Sequence, residues 1–311
     1  MIDRRRVLTL SAAALAPLAA RAHGGPLPGL RRTQVGDAVV TALLDGYIAL
    51  DPAMLAGVDE ETVSRLLEAS FLAPGPVDTA INAYLIETAG RTILVDGGAG
   101  SAMGETAGDL TEHLAAADAV PSAIDTVVAT HLHPDHVGAF ATASGAAAFP
   151  HAEMIVHEAD LAYWGEASNF DGAPETMRAF ARMARDAIAP YADRTVAARD
   201  GHEVAPGVTL MHLPGHTPGH SGLMIESDGE SLLLWGDIVH VGPIQFARPG
   251  ATIPFDVDQA QAAATRARVM DMVAADRLEI GGSHVVFPSF GRLTAEAEGY
   301  AFHPSRYDFR A

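Results

Sequence analysis

The residues from 131 to 136 read His131-Leu132-His133-Pro134-Asp135-His136 and bring three imidazoles and a carboxylate into one short segment. The apolar run before them, from Thr126 to Thr130, is typical of a buried strand. Because Pro134 disfavours continued regular structure, we expect the polar side chains on a loop at the strand end, where they can converge. Imidazole and carboxylate together suit borderline divalent metals such as zinc. The segment therefore predicts a metal site, and its two groups of ligands suggest two ions.

Three further candidate ligands stand at turns or strand ends later in the chain. His216 lies in a turn built from glycine and proline, Asp237 ends an apolar run, and His284 follows two glycines and a serine. A lone histidine is more often a surface residue or a core residue with satisfied hydrogen bonds. We assign that ordinary role to six histidines outside these patterns, which are His23, His113, His151, His157, His202 and His303.

Composition excludes several functional classes. The chain has 311 residues, a net charge of −19 and no cysteine. The strong negative charge disfavours a nucleic-acid partner. The absence of cysteine removes disulfides, thiolate ligands and cysteine nucleophiles together. The chemistry must therefore come from His, Asp, Glu, Ser, Tyr or a water bound to metal, acting on a small-molecule substrate.

The N-terminus is predicted to be an export signal over residues 1–22. Three arginines (Arg4, Arg5 and Arg6) precede an apolar stretch and an Ala20-Arg21-Ala22 cleavage pattern. The stretch is too short to span a bilayer, so we predict no membrane insertion. The arginines resemble a twin-arginine signal, although an ordinary secretion signal stays open. The expected product is a periplasmic or secreted protein.

The remaining residues, 23–311, are expected to form a single α/β domain. Strands are predicted over 39–44, 81–86, 92–95, 126–130, 151–156, 208–213 and 231–235. Helices are predicted over 55–69, 109–117, 177–191 and 257–274. Strands mixed with helices, with candidate ligands at strand ends, favour a layered architecture.

The joint pattern resembles the metallo-β-lactamase superfamily, whose H-x-H-x-D-H signature is matched by residues 131–136. The resemblance runs from about Val39 to Phe287 and implies a four-layer αβ/βα sandwich. It also implies that one ion is bound by His131, His133 and His216, and a second by Asp135, His136 and His284, with Asp237 bridging both. Asp96 is the expected hydrogen-bond acceptor behind the ligand histidines. Two such ions can share a hydroxide as nucleophile, and the carboxylates Asp135 and Asp237 are the candidate catalytic residues.

Asp237 disfavours β-lactam hydrolysis, because the β-lactamases of the family generally carry Cys or Ser at the bridging position. The segments 215–220, 235–241, 244–246 and 295–300 resemble the methyl parathion hydrolase and lactonase-like subgroup. The resemblance implies hydrolysis of lactones or aryl esters, with organophosphate triesters as a secondary substrate, and a homodimer. The alternatives are a thioesterase similar to glyoxalase II and a metal-binding protein of this fold without catalysis.

The metal identity and the pocket residues are less constrained by the pattern. Zinc is the default, while manganese, iron and cobalt also suit nitrogen and oxygen ligands. His220 is expected to pack or to support a ligand, and His240 to line the pocket. Trp164 and Phe246 are candidates for either the core or a substrate wall.

Overall fold

The computed structural model describes residues 29–307, and the predicted export signal and His23 lie outside them. Two seven-stranded sheets face each other in this part of the chain. The first sheet contains, in spatial order, β1 Leu30–Val35, β2 Ala38–Leu50, β3 Val77–Thr88, β4 Arg91–Val95, β5 Thr126–Val128, β6 Glu153–His157 and β7 Thr195–Ala198. The second contains β14 Tyr300–Pro304, β13 Gly291–Ala295, β12 Glu279–Gly281, β11 Glu230–Leu234, β10 Ser221–Ser227, β9 Val208–His212 and β8 Glu203–Ala205.

Within residues 29–307, seven α-helices connect and cover these strands. They are α1 Glu60–Ala69, α2 Leu110–Ala116, α3 Pro134–Val137, α4 Glu158–Gly165, α5 Glu175–Ile188, α6 Gly242–Gln245 and α7 Gln259–Ala275. Short 3-10 turns lie at Pro52–Met54, Pro121–Ala123, Ala167–Phe170 and Ala189–Arg194. None of the helices within residues 29–307 has the length and apolar character needed to cross a membrane.

Alternation of side chains along the strands explains the layers. In β4, Ile93 and Val95 face the second sheet, whereas Leu94 packs on the opposite face with helices α2, α4 and α5. In β11, Leu234 faces the first sheet and Leu233 packs toward α7. Continuous apolar runs are therefore buried on both faces, as expected for strands sandwiched between helices and a second sheet. The predicted α/β class and four-layer sandwich are confirmed.

Parallel pairing brings strand ends to one edge. Strands β4 to β7 run parallel to one another, and β11 runs parallel to β12. The carboxyl ends of β4 and β5 in one sheet, and of β9, β11 and β12 in the other, precede the loops with the candidate ligands. Ligands that are far apart in sequence therefore meet at one edge of the sandwich.

Two sequence predictions need correction. Pro134 begins helix α3 at its first position rather than breaking regular structure, because proline lacks only a donor that the first turn does not use. Asp135 and His136 accordingly lie on a helical turn, not on a loop. The helix predicted from residue 55 begins at Glu60, where the side chain of Asp59 accepts a hydrogen bond from the Thr62 backbone at 2.7 Å.

Candidate metal centre

Seven predicted ligands converge in the folded chain. His131 and His133 follow β5, Asp135 and His136 lie in α3, and His216 lies between β9 and β10. Asp237 follows β11 and His284 follows β12. All seven residues are at most 9% exposed. The structure therefore brings together every residue predicted as a ligand, with contributions from both sheets.

Three imidazole nitrogens meet at one point, in what we call the three-histidine cluster (His131, His133 and His216). The Nδ1 atom of His133 lies 3.0 Å from the Nε2 atom of His131 and 3.0 Å from the Nε2 atom of His216. Tetrahedral zinc with Zn–N bonds of about 2.0–2.1 Å separates its ligand nitrogens by roughly 3.3 Å. The cluster thus has the donor type and spacing that a divalent ion requires.

A second group, the mixed cluster, consists of Asp135, His136 and His284. The Oδ2 atom of Asp135 lies 3.4 Å from His284 Nε2 and 3.7 Å from His136 Nε2. Asp237 lies between the two clusters, since its Oδ2 atom is 3.1 Å from His284 Nε2 and 3.3 Å from His216 Nε2. This is the position that a carboxylate shared by two ions would occupy.

Electrostatics favour positive charge at His136, His216 and His284, whereas burial holds the pKa values of His131 and His133 well below the usual range. Burial alone would lower the pKa of His136, His216 and His284, but the carboxylate of Asp237 and neighbouring carboxylates raise all three pKa values, that of His216 to about 9. Burial would raise the pKa of Asp237 itself, yet the surrounding imidazoles, led by His136, hold it well below its usual range. A site that stabilises added positive charge in this way also suits metal cations.

Two buried atoms of the predicted ligands lack a hydrogen-bond partner among residues 29–307. They are Nε2 of His136 and Oδ1 of Asp237. Buried polar atoms are normally paired, so an unpaired nitrogen and an unpaired carboxylate oxygen side by side point to a missing ligand. The residues present therefore fit divalent metal ions.

Each ligand imidazole of the centre that binds through Nε2 is oriented by a contact on Nδ1. His136 donates to Asp96 at 2.8 Å, and His284 donates to the backbone carbonyl of Ala80 at 2.8 Å. His131 lies 3.1 Å from the hydroxyl of Thr130, which in turn donates to Asp96 at 2.9 Å. Asp96, the predicted acceptor, is therefore connected to both clusters. These bonds leave the Nε2 lone pairs directed at the centre.

Asp256 orients the remaining Nε2 ligand and had no predicted role. Its Oδ1 atom accepts a hydrogen bond from Nδ1 of His216 at 2.8 Å. Its other oxygen accepts from the backbone of Ile253 at 3.1 Å and lies 3.8 Å from the guanidinium of the buried Arg266. No local spacing in the sequence marks this residue, which is 40 positions from His216.

The other predicted residues occupy distinct positions. His220 is fully buried, donates from Nδ1 to the Leu213 carbonyl at 2.7 Å, and accepts the Asp237 backbone N–H on Nε2 at 2.9 Å. His240 lies with Nε2 3.2 Å from Oδ2 of Asp237. Trp164 is a core residue whose ring edge meets His133, with ring centroids 5.2 Å apart.

Two cavities adjoin the centre. The smaller, of about 150 Å³, is lined by five of the predicted ligands together with apolar residues such as Ile48, Phe180 and Phe255. The larger, of about 440 Å³, is mainly apolar and includes Phe246 in its wall. His240 and His284 line both cavities. A substrate at the centre can therefore extend into an apolar space next to it.

Comparison with protein-family models gives a match over residues 76–284 to the metallo-beta-lactamase superfamily. This span includes the whole signature segment and all three later ligands. The chain belongs to the metallo-β-lactamase superfamily. The family predicted from the H-x-H-x-D-H pattern is thereby confirmed.

Among curated superfamily relatives, an N-acyl homoserine lactonase from Bacillus sp is 29% identical over 51% of this chain and 64% of its own length. An N-acyl homoserine lactonase from Bacillus cereus is 31% identical, over 35% of each chain. The chain thus matches less than two thirds of the length of these relatives. Both matches fit the lactonase-like subgroup.

Solved superfamily structures match over more of the chain. The hydrolase AbOPH of the beta lactamase superfamily shares 30% identity and a TM-score of 0.86, covering 91% of this chain and 100% of its own. AidC, a dizinc quorum-quenching lactonase, has a TM-score of 0.85 at 24% identity, with 91% and 99% covered. The likeness to AidC concerns the fold.

Proposed function

We propose that this protein is a metal-dependent hydrolase that opens lactones or cleaves aryl esters. The observation that carries the proposal is the arrangement of seven side chains in two clusters with Asp237 between them. The family match and the hydrolase relatives support the same activity. The two N-acyl homoserine lactonases among the relatives favour lactones over the thioester alternative.

The ligand set is proposed to hold two divalent ions, with zinc as the most suitable metal for nitrogen and carboxylate donors. When bound, these ions would supply Lewis acidity, which lowers the pKa of water and polarises a substrate carbonyl. The dizinc lactonase of the same fold supports this choice of metal.

The chain's own residues prepare the site for that chemistry. Asp96, Asp256 and the Ala80 carbonyl hold ligand imidazoles by their Nδ1 atoms, so that the Nε2 lone pairs converge without further rearrangement. Asp237 keeps its negative charge, because the imidazoles around it depress its pKa. The apolar walls formed by Phe180, Phe255 and their neighbours limit water around the reacting groups.

The larger cavity favours a substrate with an apolar substituent. Its walls include Leu72, Val77, Phe246, Val286 and Phe302, and it meets the smaller cavity at His240 and His284. A substrate can therefore place a ring carbonyl at the centre and an alkyl, acyl or aryl group in the apolar cavity. Burial of each CH₂ group there contributes about 0.8 kcal/mol to binding.

Organophosphate triester hydrolysis is proposed as a secondary activity. A nucleophile placed between the clusters can attack a planar carbonyl or a tetrahedral phosphorus, and the shape of the cavity decides between them. The resemblance of residues 235–241 and 244–246 to methyl parathion hydrolase supports this proposal.

A hydrolysis panel tests the function. It comprises γ- and δ-lactones with graded alkyl chains, dihydrocoumarin, p-nitrophenyl acetate, methyl paraoxon, S-lactoylglutathione and nitrocefin, each with zinc and with manganese. We expect the highest kcat/KM on lactones or aryl esters, rising with chain length. Preference for S-lactoylglutathione would instead favour the thioesterase, and bound metal without turnover of any substrate would favour a non-catalytic protein.

His131→Ala and Asp237→Ala are expected to be folded, poor in metal and inactive.

We also propose that the protein is exported to the periplasm or secreted, on the basis of Arg4 to Arg6 and the Ala20-Arg21-Ala22 pattern. A homodimer is proposed from the subgroup resemblance. N-terminal sequencing of the exported product and sedimentation of the mature chain test these two proposals.

A further inference from the structure

One buried carboxylate connects two ligand loops without touching a ligand side chain. Asp160 lies in the first turn of α4 and has no solvent exposure. Its Oδ2 atom accepts the backbone N–H of Leu132 at 3.1 Å, and its Oδ1 atom accepts the backbone N–H of Gly219 at 2.6 Å. Leu132 stands between His131 and His133, while Gly219 follows His216 by three residues. The carboxylate therefore joins the two backbone segments that supply the three-histidine cluster.

These two segments come from different sheets. His131 and His133 follow β5 in the first sheet, and His216 lies between β9 and β10 in the second. Within each segment the local backbone sets the ligand positions. The distance between the two segments depends on how the two sheets pack together. A rigid hydrogen-bonded connection between the segments would keep the three nitrogens at their 3.0 Å spacing.

The lack of space around Gly219 independently indicates that the His216 segment lies close to Asp160. A Cβ atom on Gly219 would lie 2.4 Å from the backbone nitrogen of Asp160 and 2.9 Å from its Cβ atom. Such contacts are well inside van der Waals distance, so only glycine permits the loop to reach the carboxylate. Nearby, the rings of His157 and His212 stack at 4.0 Å and also connect the two sheets.

Burial of Asp160 without a direct ion pair is unfavourable by itself. Burial raises the pKa of Asp160 to about 6, although the side chain of Thr217 and the backbone donors of Gly219 and Leu132 oppose the shift. A hydrophobic residue would fill this part of the core with less desolvation. The observed carboxylate is therefore better explained by the connection that it makes than by core stability.

We propose that Asp160 is a positioning residue that sets the separation of the His131–His133 segment from the His216 segment, and thereby the metal affinity of the three-histidine cluster. This inference rests on the proposed metal-dependent function. It assigns Asp160 no contact with substrate. It predicts that loss of the carboxylate weakens ion binding by more than loss of an equivalent buried carboxylate elsewhere.

Asp45 supplies the matched control. It is also fully buried, and it accepts backbone N–H groups from Ala99 at 2.8 Å, Leu110 at 3.0 Å and Gly108 at 3.2 Å. Burial likewise raises its pKa. None of these donors belongs to the loops of the three-histidine cluster. Asp45→Asn therefore removes a comparable buried charge without disturbing the proposed connection.

The test measures Co²⁺ and Zn²⁺ affinity by competition with a chromophoric chelator, with d–d absorption of Co²⁺ reporting the four-coordinate site. We expect Asp160→Asn to weaken the tighter ion by about 10- to 100-fold. Asp45→Asn is expected to change this affinity by less than about threefold, because none of the backbone donors of Asp45 lies in the His131–His133 segment or the His216 segment. Urea unfolding in excess chelator reports the stability of each variant separately.

Unchanged ion affinity in Asp160→Asn, or an equal loss in Asp45→Asn, would overturn the proposal. If Asp160→Asn does not fold, Gly219→Ala replaces it, since the added methyl group must displace the loop from Asp160. Folded Gly219→Ala with wild-type affinity would equally overturn it. Lactone turnover is measured in parallel. Ion binding by the wild type without hydrolysis of any lactone or aryl ester would refute the proposed function and leave the role of Asp160 standing.

Discussion

His220 offers a quantitative test of how the centre is supported. Its pKa is lowered to about 3, chiefly by burial, so the ring is neutral and its tautomer is defined by its two contacts. Nδ1–H donates to Leu213, and the Nε2 lone pair accepts the backbone N–H of Asp237. Gly236, just before Asp237, has φ +58°, and a Cβ atom there would lie 2.5 Å from Nε2 of His220. The ring thus fixes the backbone that presents the shared carboxylate.

His220→Ala would leave two buried backbone groups without partners. Each unsatisfied group costs about 1–3 kcal/mol, so their sum is about 4 kcal/mol of unfolding free energy, before any cavity is counted. Release of the Asp237 backbone should also displace its carboxylate. A displacement of about 1 Å in a catalytic group lowers activity by about 10²-fold. We therefore expect reduced stability, reduced metal content and reduced kcat/KM together.

The assays are urea unfolding followed by circular dichroism, metal analysis after dialysis, and lactone hydrolysis. His113→Ala is the matched control, because His113 is also a buried imidazole bonded to a backbone carbonyl, that of Leu44, but touches no ligand. It should lose stability and keep its metal. The reasoning is refuted if His220→Ala retains wild-type metal content and turnover, or if its stability falls by less than about 1 kcal/mol.

Three other predictions follow from the same geometry. Asp256→Asn should weaken metal binding and activity by about 10- to 100-fold through loss of orientation of His216, and wild-type affinity by chelator competition would contradict this. Removal of metal with a chelator should abolish hydrolysis and lower Tm, and re-addition at about 1,000 times Kd should restore about 4 kcal/mol, as measured by calorimetry. The folded pKa of His220, about 3, lies below its unfolded value of 6.5, so the folded state binds fewer protons and stability falls as pH drops through this window. In the presence of a chelator, His220→Gln should not show this loss, which amounts to about 5 kcal/mol of unfolding free energy between the two pKa values. A variant with the same pH dependence of unfolding as the wild type would argue against a neutral buried ring.

Local pattern was sufficient to predict that the seven candidate ligands converge, because most of them follow a buried strand or a glycine turn. The apolar run before His131 and the glycines around His216 and His284 mark strand ends in the sequence itself. Parallel strands place such ends at one edge, so the pattern also predicts that the ligands meet. Element boundaries were predicted less well. The Leu55–Val58 stretch is apolar enough to suggest a helix, but the N-cap at Asp59 delays the helix to Glu60.

The supporting carboxylates could not be predicted in the same way. Asp256 and Asp160 each stand in ordinary polar contexts, and their partners lie 40 and 59 residues away. Whether a carboxylate contacts a ligand or a distant backbone N–H depends on packing between elements, which no local spacing encodes. The position of His240 between the two cavities likewise depends on its neighbours from other segments.

The amino-acid sequence by itself determined the type of chemistry: seven nitrogen and oxygen donors, no thiolate, and a carboxylate rather than cysteine or serine between the clusters. Those properties depend only on residue types and short spacings, which are the same whether or not the chain is folded. The tertiary structure alone decided which groups orient those donors, how the two sheets bring the His131 and His216 segments within 3.0 Å, and where the apolar cavity opens. These features arise from contacts between residues distant in the chain, and only packing of the two sheets brings such residues together.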